Sequence, residues 1–168
     1  MSIIIADASP LIALATINRL ALLEQLYQQV FIPEAVKNEL RLSSDMPGAK
    51  RLLQAMEKGL IKVRSIEYSE TSYQQILQIL DQGETEAILL AESFADTDYR
   101  FLLIDERKGR LVAKQRGINI AGTGAVLLAA KKKGHINSVK KELHAMQDNG
   151  YRLSTALQQR LLALAGEL

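Results

Sequence analysis

Two apolar runs in this chain each end on an aspartate. Ile3-Ile4-Ile5-Ala6 stops at Asp7, and Phe101-Leu102-Leu103-Ile104 stops at Asp105. Unbroken apolar runs of this length, without alternation, read as strands covered on both faces, the habit of parallel sheets packed between helices. In open α/β sheets, ligands bind in the crevice beyond the carboxyl ends of the strands. There the chain leaves the packed interior and exposes polar side chains on a rigid mount. Two acids carried to that edge from distant parts of the chain point to a site for a hard cation.

The rest of the chain alternates strand and helix signals. Ser9-Pro10 reads as a helix start, with Ser as cap and Pro at the first helical position. Arg19 to Gln29 carries Leu22, Leu23 and Leu26 at helical spacing and leads into a strand, Val30 to Ile32, after which Pro33 opens another helix. A helix is expected between Asp45 and Gly59, and Ile61 to Ile66 alternates as a half-exposed edge strand would. Ser69 or Thr71 caps a helix ending near Leu80, Asp81-Gln82-Gly83 breaks it, and Glu84 to Phe94 forms a nearly all-apolar helix. Beyond the Asp105 strand come a basic helix from Arg107 to about Arg116 and a strand from Ile118 to Ala121. Gly122-Thr123-Gly124 then reads as a helix start capped by Thr. Leu153, Leu157, Leu161 and Leu164 mark one stripe of a terminal amphipathic helix, which docks on the core or on another subunit. This order predicts a three-layer α/β/α fold with a central, mainly parallel sheet and right-handed crossovers. One domain is expected over 1–168, with a C-terminal helical extension from about 138.

Composition narrows the chemistry. The chain has no cysteine, which removes thiolate zinc sites, disulfides and a cysteine nucleophile. Its two histidines, His135 and His144, have no partner spacing and read as surface residues, leaving a histidine-based acid–base mechanism unsupported. No secretion signal or membrane-length apolar run is visible, so a soluble cytoplasmic protein is expected. A net charge of +2 is too mild to announce a nucleic-acid binder, but basic residues cluster. Arg107, Lys108, Arg110, Lys114 and Arg116 follow Asp105, with later groups at Lys131-Lys132-Lys133 and Lys140-Lys141. Such clusters are commonly solvated helix faces; proximity to Asp105 sets the first apart. Aromatic residues make up only 5%, so phosphate contacts rather than base stacking should dominate any nucleic-acid affinity.

Further acids fall where they can join Asp7 and Asp105. Glu39 borders the apolar face of the helix opened by Pro33. Glu84 and Glu86 lie in the first turn of the apolar helix, Glu86 in line with Leu90 and Phe94, Glu84 with Ala87 and Ile88. Acids there also complement the helix dipole without any chemistry, so each alone is weak evidence. Together they form an all-oxygen donor set suited to Mg²⁺ or Mn²⁺ and unsuited to zinc or copper. A cation so held can neutralise charge on a phosphodiester and acidify a bound water, which implies phosphodiester hydrolysis.

Five segments in order carry a family likeness: Asp7-Ala8-Ser9-Pro10-Leu11-Ile12, Pro33-Glu34-Ala35-Val36 with Glu39-Leu40, Gly83-Glu84-Thr85-Glu86-Ala87, Ile104-Asp105-Glu106-Arg107 and Gly122-Thr123-Gly124. Through nearly its whole length the chain resembles the PIN-domain ribonucleases, among them the VapC class of toxins, and most nearly an uncharacterised prokaryotic subgroup. The resemblance implies a Mg²⁺- or Mn²⁺-dependent endoribonuclease with Asp7, Glu39, Glu86 and Asp105 as catalytic ligands. Glu86 is preferred over Glu84, which serves as a substitute ligand. Ser9 resembles the small hydroxyl residue supporting the site, and Arg107, Lys108 and Arg110 are expected to meet the RNA. An antitoxin partner and a homodimer are also implied. The family commonly has Asp on the late helix where this chain has two glutamates, and many relatives place another acid where basic residues follow Asp105. Two other readings remain: a PIN-derived binding module without turnover, and a phosphatase of haloacid-dehalogenase type, which lacks its second aspartate because Ser9 stands there. Gly122-Thr123-Gly124 is no dinucleotide fingerprint, since Leu127 occupies the third glycine position.

Overall fold

A computed structural model describes residues 2–94 and 98–168. Its centre is β1 (Ile3–Ala6), whose residues from Ile4 on are fully covered. On one side lies β2 (Gln29–Ile32), with Ile4 opposite Val30 and Ile5 opposite Phe31, and beyond it β3 (Ile61–Val63). On the other side lies β4 (Leu102–Leu103), with Ile5 opposite Leu102 and Ala6 opposite Leu103, and then β5 (Ile120–Ala121). All pairings are parallel, in the order β3-β2-β1-β4-β5. The chain thus builds outward from β1 in one direction and then returns to build in the other. The crevice between β1 and β4 is therefore the topological switch point, and Asp7 and Asp105 follow the two strands that flank it.

Helices cover both faces of the sheet. One layer holds α1 (Ala8–Thr16), α2 (Ala21–Leu26), α4 (Ala49–Glu57) and α8 (Thr123–Lys132), with α9 (Val139–Asp148) and α10 (Thr155–Leu164) packed on α1 and α8. The other holds α5 (Glu70–Leu77), α6 (Gln82–Ser93) and α7 (Arg107–Gln115). The short α3 (Glu34–Glu39) crosses the edge against α6. This is the three-layer α/β/α arrangement read from the alternation of elements. Burial of Ile4, Ile5, Leu102, Leu103, Ile88 and Leu90 places the core between sheet and helices. Each such buried side chain contributes roughly 1.5–3 kcal/mol.

Several local expectations are corrected. The first helix begins at Ala8 with Asp7 at its cap position, not at Ser9, and Pro10 falls in the first turn, where its missing N–H has no intrahelical partner to lose. The helix after Gly122 is capped by that glycine; Thr123 is its first residue. Strand β3 stops at Val63 instead of Ile66, although the Arg64 amide still donates to the Ile32 carbonyl at 2.9 Å. In α10 the buried pair is Leu161 and Leu162, while Leu157 and Leu164 are exposed, so the expected leucine stripe is only partly covered. Leu161 packs where Gly124 leaves room: a β-carbon there would lie 2.6 Å from its methyl group. The chain end is tied down by Glu167, which accepts from Ser138 Oγ, the Val139 and Lys140 amides and Lys131 Nζ at 2.6–3.2 Å.

Candidate metal centre at the switch point

Asp7 stands at the tip of the central strand, its amide bonded to the Leu103 carbonyl of β4 at 2.9 Å. The residue is only 4% exposed, and its Oδ1 is buried without a hydrogen-bond partner. Burial pushes its carboxyl up to about 7, partly offset by the Ala8 amide, and Glu39, Asp81 and Asp105 add repulsion. A buried acid with a spare oxygen, facing other acids, is costly unless a cation shares the space.

The second buried acid is Glu84, 8% exposed, on the first turn of α6. Burial, then the charges of Asp81 and Asp7, raise its carboxyl to about 8. It abuts α7: a β-carbon on Gly109 would stand 3.4 Å from Glu84 Oε2. Glu86 faces elsewhere. Its Oε1 accepts from the Ala35 amide at 3.2 Å and its Oε2 from Gln82 Nε2 at 3.2 Å, so it ties α6 to the start of α3. Of the two glutamates, then, it is Glu84 that shares the hollow with Asp7. The reason is rotational: residues two apart on a helix diverge by about 200°.

Glu39 ends α3 at the rim of the crevice, an exposed residue whose acid group turns in against α6. Its carboxylate is pressed against the start of α6, where a β-carbon on Gly83 would land on it, and the nearby Gly83 amide favours its charged form. Its carboxyl is also raised, by burial of the acid group and by Asp81. Asp81 itself, absent from the sequence-derived set, caps α6 by accepting from the Glu84 amide at 2.8 Å. A pattern was available to find it: Asp with Glu three residues later is a helix-start signature. Across the crevice, Asp105 accepts from the Thr123 amide at 2.7 Å and from Thr123 Oγ1 at 2.5 Å. Tyr151, from the turn after α9, stands beside the same carboxylate; burial and that neighbour push the phenol well above its ordinary value. Sequence reasoning held no signal for this tyrosine.

The basic residues divide. Arg107 and Lys108 are exposed on α7, whereas Arg110 folds back, its Nη1 donating to the Ile104 carbonyl at 2.8 Å. A β-carbon on Gly122 would lie 2.9 Å from Asp105 Oδ1 and 3.2 Å from Arg110 Nη1, which fixes that guanidinium beside Asp105. Ser9 is exposed just past Asp7, and His135 and His144 are exposed.

These donors suit a hard divalent ion: all are oxygens, Asp7 keeps an unpartnered one, and burial with neighbouring carboxylates pushes both Asp7 and Glu84 toward the neutral form. As the side chains stand, no three acidic or histidine groups among the described residues are close enough together to grip one ion. Mg²⁺ does not demand that, because it keeps several waters and needs only one or two direct carboxylates.

The sequence profile of a family described as a PIN domain matches residues 3–167. No curated protein matches the chain. One similar solved structure is a domain of a functionally unknown protein from Methanocaldococcus jannaschii DSM 2661, 20% identical over 73% of this chain and 91% of that one, with a TM-score of 0.46. A likeness of that degree bears on neither fold nor function. With the profile spanning both strand-tip aspartates and every acid around them, the chain belongs to the PIN-domain family.

Proposed function

We propose that this protein is a Mg²⁺- or Mn²⁺-dependent endoribonuclease, hydrolysing phosphodiester bonds in RNA at the β1/β4 crevice. PIN domains are typically nucleases, and the observation that carries the reading here is the unpartnered buried oxygen of Asp7 among neighbouring carboxylates. Asp7, Glu84 and Asp105 would hold the ion, with Glu39 and Asp81 reaching it from the rim. Once bound, such an ion supplies charge neutralisation on the phosphodiester and a more acidic water. Glu86 has a positioning part, holding α3 so that Glu39 meets α6. Thr123 and Tyr151 orient Asp105. Arg107 and Lys108, on the exposed side of α7, attract phosphate, and Arg110 sets a fixed positive edge next to Asp105. Ser9 lines the way in for substrate.

The test is cleavage of single-stranded RNA with Mn²⁺ by the wild-type chain and by Asp7→Asn and Glu84→Gln. Loss in both variants, with folding intact, is expected; a purified Asp7→Asn that still cuts ends the proposal. The finer reading is the toxin half of a type II toxin–antitoxin pair, acting in the cytoplasm as a homodimer restrained by an antitoxin. Co-expression with a small DNA-binding protein encoded beside it should then relieve growth arrest, and arrest that persists rejects the pairing. A second reading, a PIN-derived binding module without turnover, is favoured by one observation: both oxygens of Asp105 are already engaged by Thr123. Mn²⁺ binding that ignores Asp7 and Glu84 would favour that module.

A further inference from the structure

A hollow of about 230 Å³ opens beside the acidic crevice, between α1 and the turn that follows α9. Its apolar side is formed by Ile12, Ala13 and Met146, the last two buried. Its polar edge carries Ser9 and Asn149. Asn149 Nδ2 donates to the Ala145 carbonyl at 2.8 Å, so Oδ1 is the atom left to accept from a ligand. No lysine or arginine lines the hollow among the described residues. That lining is poor for a phosphate and suits a flat, neutral ring with hydrogen-bonding edges.

Tyr151 joins the hollow to the crevice. It lines the hollow and also stands beside the Asp105 carboxylate. Its place is fixed by the helix end: Gly150 adopts φ +92°, its amide bonds to the Gln147 carbonyl, and the Tyr151 amide bonds to Met146 O at 3.0 Å. That six-residue closure around a left-handed glycine characteristically brings the residue after the glycine against the one five before it, here Tyr151 and Met146. Ser9, two residues past Asp7, completes the connection from the other side. RNA sequence is commonly read by splaying out single bases, which stack on aromatic side chains and offer their edges to polar groups.

We propose that this hollow is a subsite for one unstacked base of the RNA, next to the bond that the acids address, with Tyr151 as the wall shared by both. The proposal rests on the ribonuclease reading for its ligand. Phosphate contacts still set most of the affinity; the hollow selects the nucleotide at one position.

The experiment is a methyl-NMR titration of the full chain in Mg²⁺ buffer with the four nucleoside 5′-monophosphates, and with ribose 5-phosphate as the baseless probe. Signals from Ile12 and Met146 are expected to shift with at least one nucleotide and to stay put with ribose 5-phosphate. Ala13→Leu, which fills the hollow, should weaken that binding by about tenfold or more, the factor a lost stacked base carries. Thr16→Leu, at the rim, serves if Ala13→Leu does not fold. No methyl response to any nucleotide, or an equal response to ribose 5-phosphate, overturns the subsite. Response to bases without cleavage of any RNA removes the nuclease and leaves the base site standing; cleavage without the response removes the subsite alone.

Discussion

Asp7→Asn should make the ion-free protein more stable at alkaline pH and, below about pH 4, less stable by the cost of its own unpaired amide. The carboxyl rises from its ordinary 3.8 to about 7 on folding. At 1.36 kcal/mol per pH unit, that difference amounts to on the order of 4 kcal/mol of destabilisation once the group must ionise inside the fold. The sign follows from proton binding. Between about pH 4 and 7 the folded state holds the proton and the unfolded state does not, so stability falls as pH rises through that window and the full penalty applies above it. Below about pH 4 both states are protonated and the penalty vanishes. Asparagine carries no charge but leaves its own amide short of partners, which returns about 1–3 kcal/mol. A net gain of a couple of kcal/mol translates, for a chain of this size, to a melting temperature higher by roughly 4–8 °C. Thermal melts in EDTA near pH 9 and near pH 4 provide the assay, repeated with Mn²⁺, which should stabilise wild type by about 2.7 kcal/mol at a hundred times its Kd and the variant hardly at all. An Asn variant less stable than wild type at pH 9, or a gap that does not change with pH, would refute the account of a buried, uncompensated charge.

Two further outcomes concern the crevice and one the chain end. Gly83→Ala should drive the Glu39 carboxylate off the start of α6, lowering Mn²⁺ affinity measured by calorimetry while circular dichroism stays native. Arg107→Ala with Lys108→Ala should weaken RNA binding evenly across sequences and flatten the salt slope by about 2, read from filter binding at several salt concentrations; an unchanged slope rejects the phosphate role. Glu167 is held down to about 2 by Ser138 first and then by Lys131 and the α9 amides, so its contribution is present above about pH 4.5 and lost as pH falls toward 2. Glu167→Ala should cost about 1 kcal/mol, in the manner of a lost cap, in melts at neutral pH, with the difference disappearing near pH 2.

The sheet was legible because its strands are written as apolar runs: Ile3 to Ala6, Val30 to Ile32 and Phe101 to Ile104 can satisfy themselves only when covered on both faces. Asp7 and Asp105 were legible for the same reason, as the first polar residues after two of those runs. The orientation of α6 was not. Ala87 to Ala91 is an unbroken apolar run whose five residues are all buried, so this stretch sets no helix rotation, and nothing local decides between Glu84 and Glu86. Asp81 was hidden inside a segment read as a break, although a helix start and a break use the same residues. Tyr151 was out of reach because its meeting with Asp105 depends on how α9 packs against α1 and α8, a tertiary outcome without periodicity. Arg110 shows the limit of reading charge: within one basic cluster, it turns to a backbone carbonyl while Arg107 and Lys108 face solvent.

The central claim, that acids from separate segments share one divalent ion at the β1/β4 crevice, is tested most directly by anomalous diffraction from crystals soaked in Mn²⁺. The account predicts a manganese peak within coordination distance of Asp7, with Glu84 turned toward it and Glu86 still on the Ala35 amide. Manganese bound only elsewhere on the molecule, with the Asp7 carboxylate left uncoordinated, would contradict it.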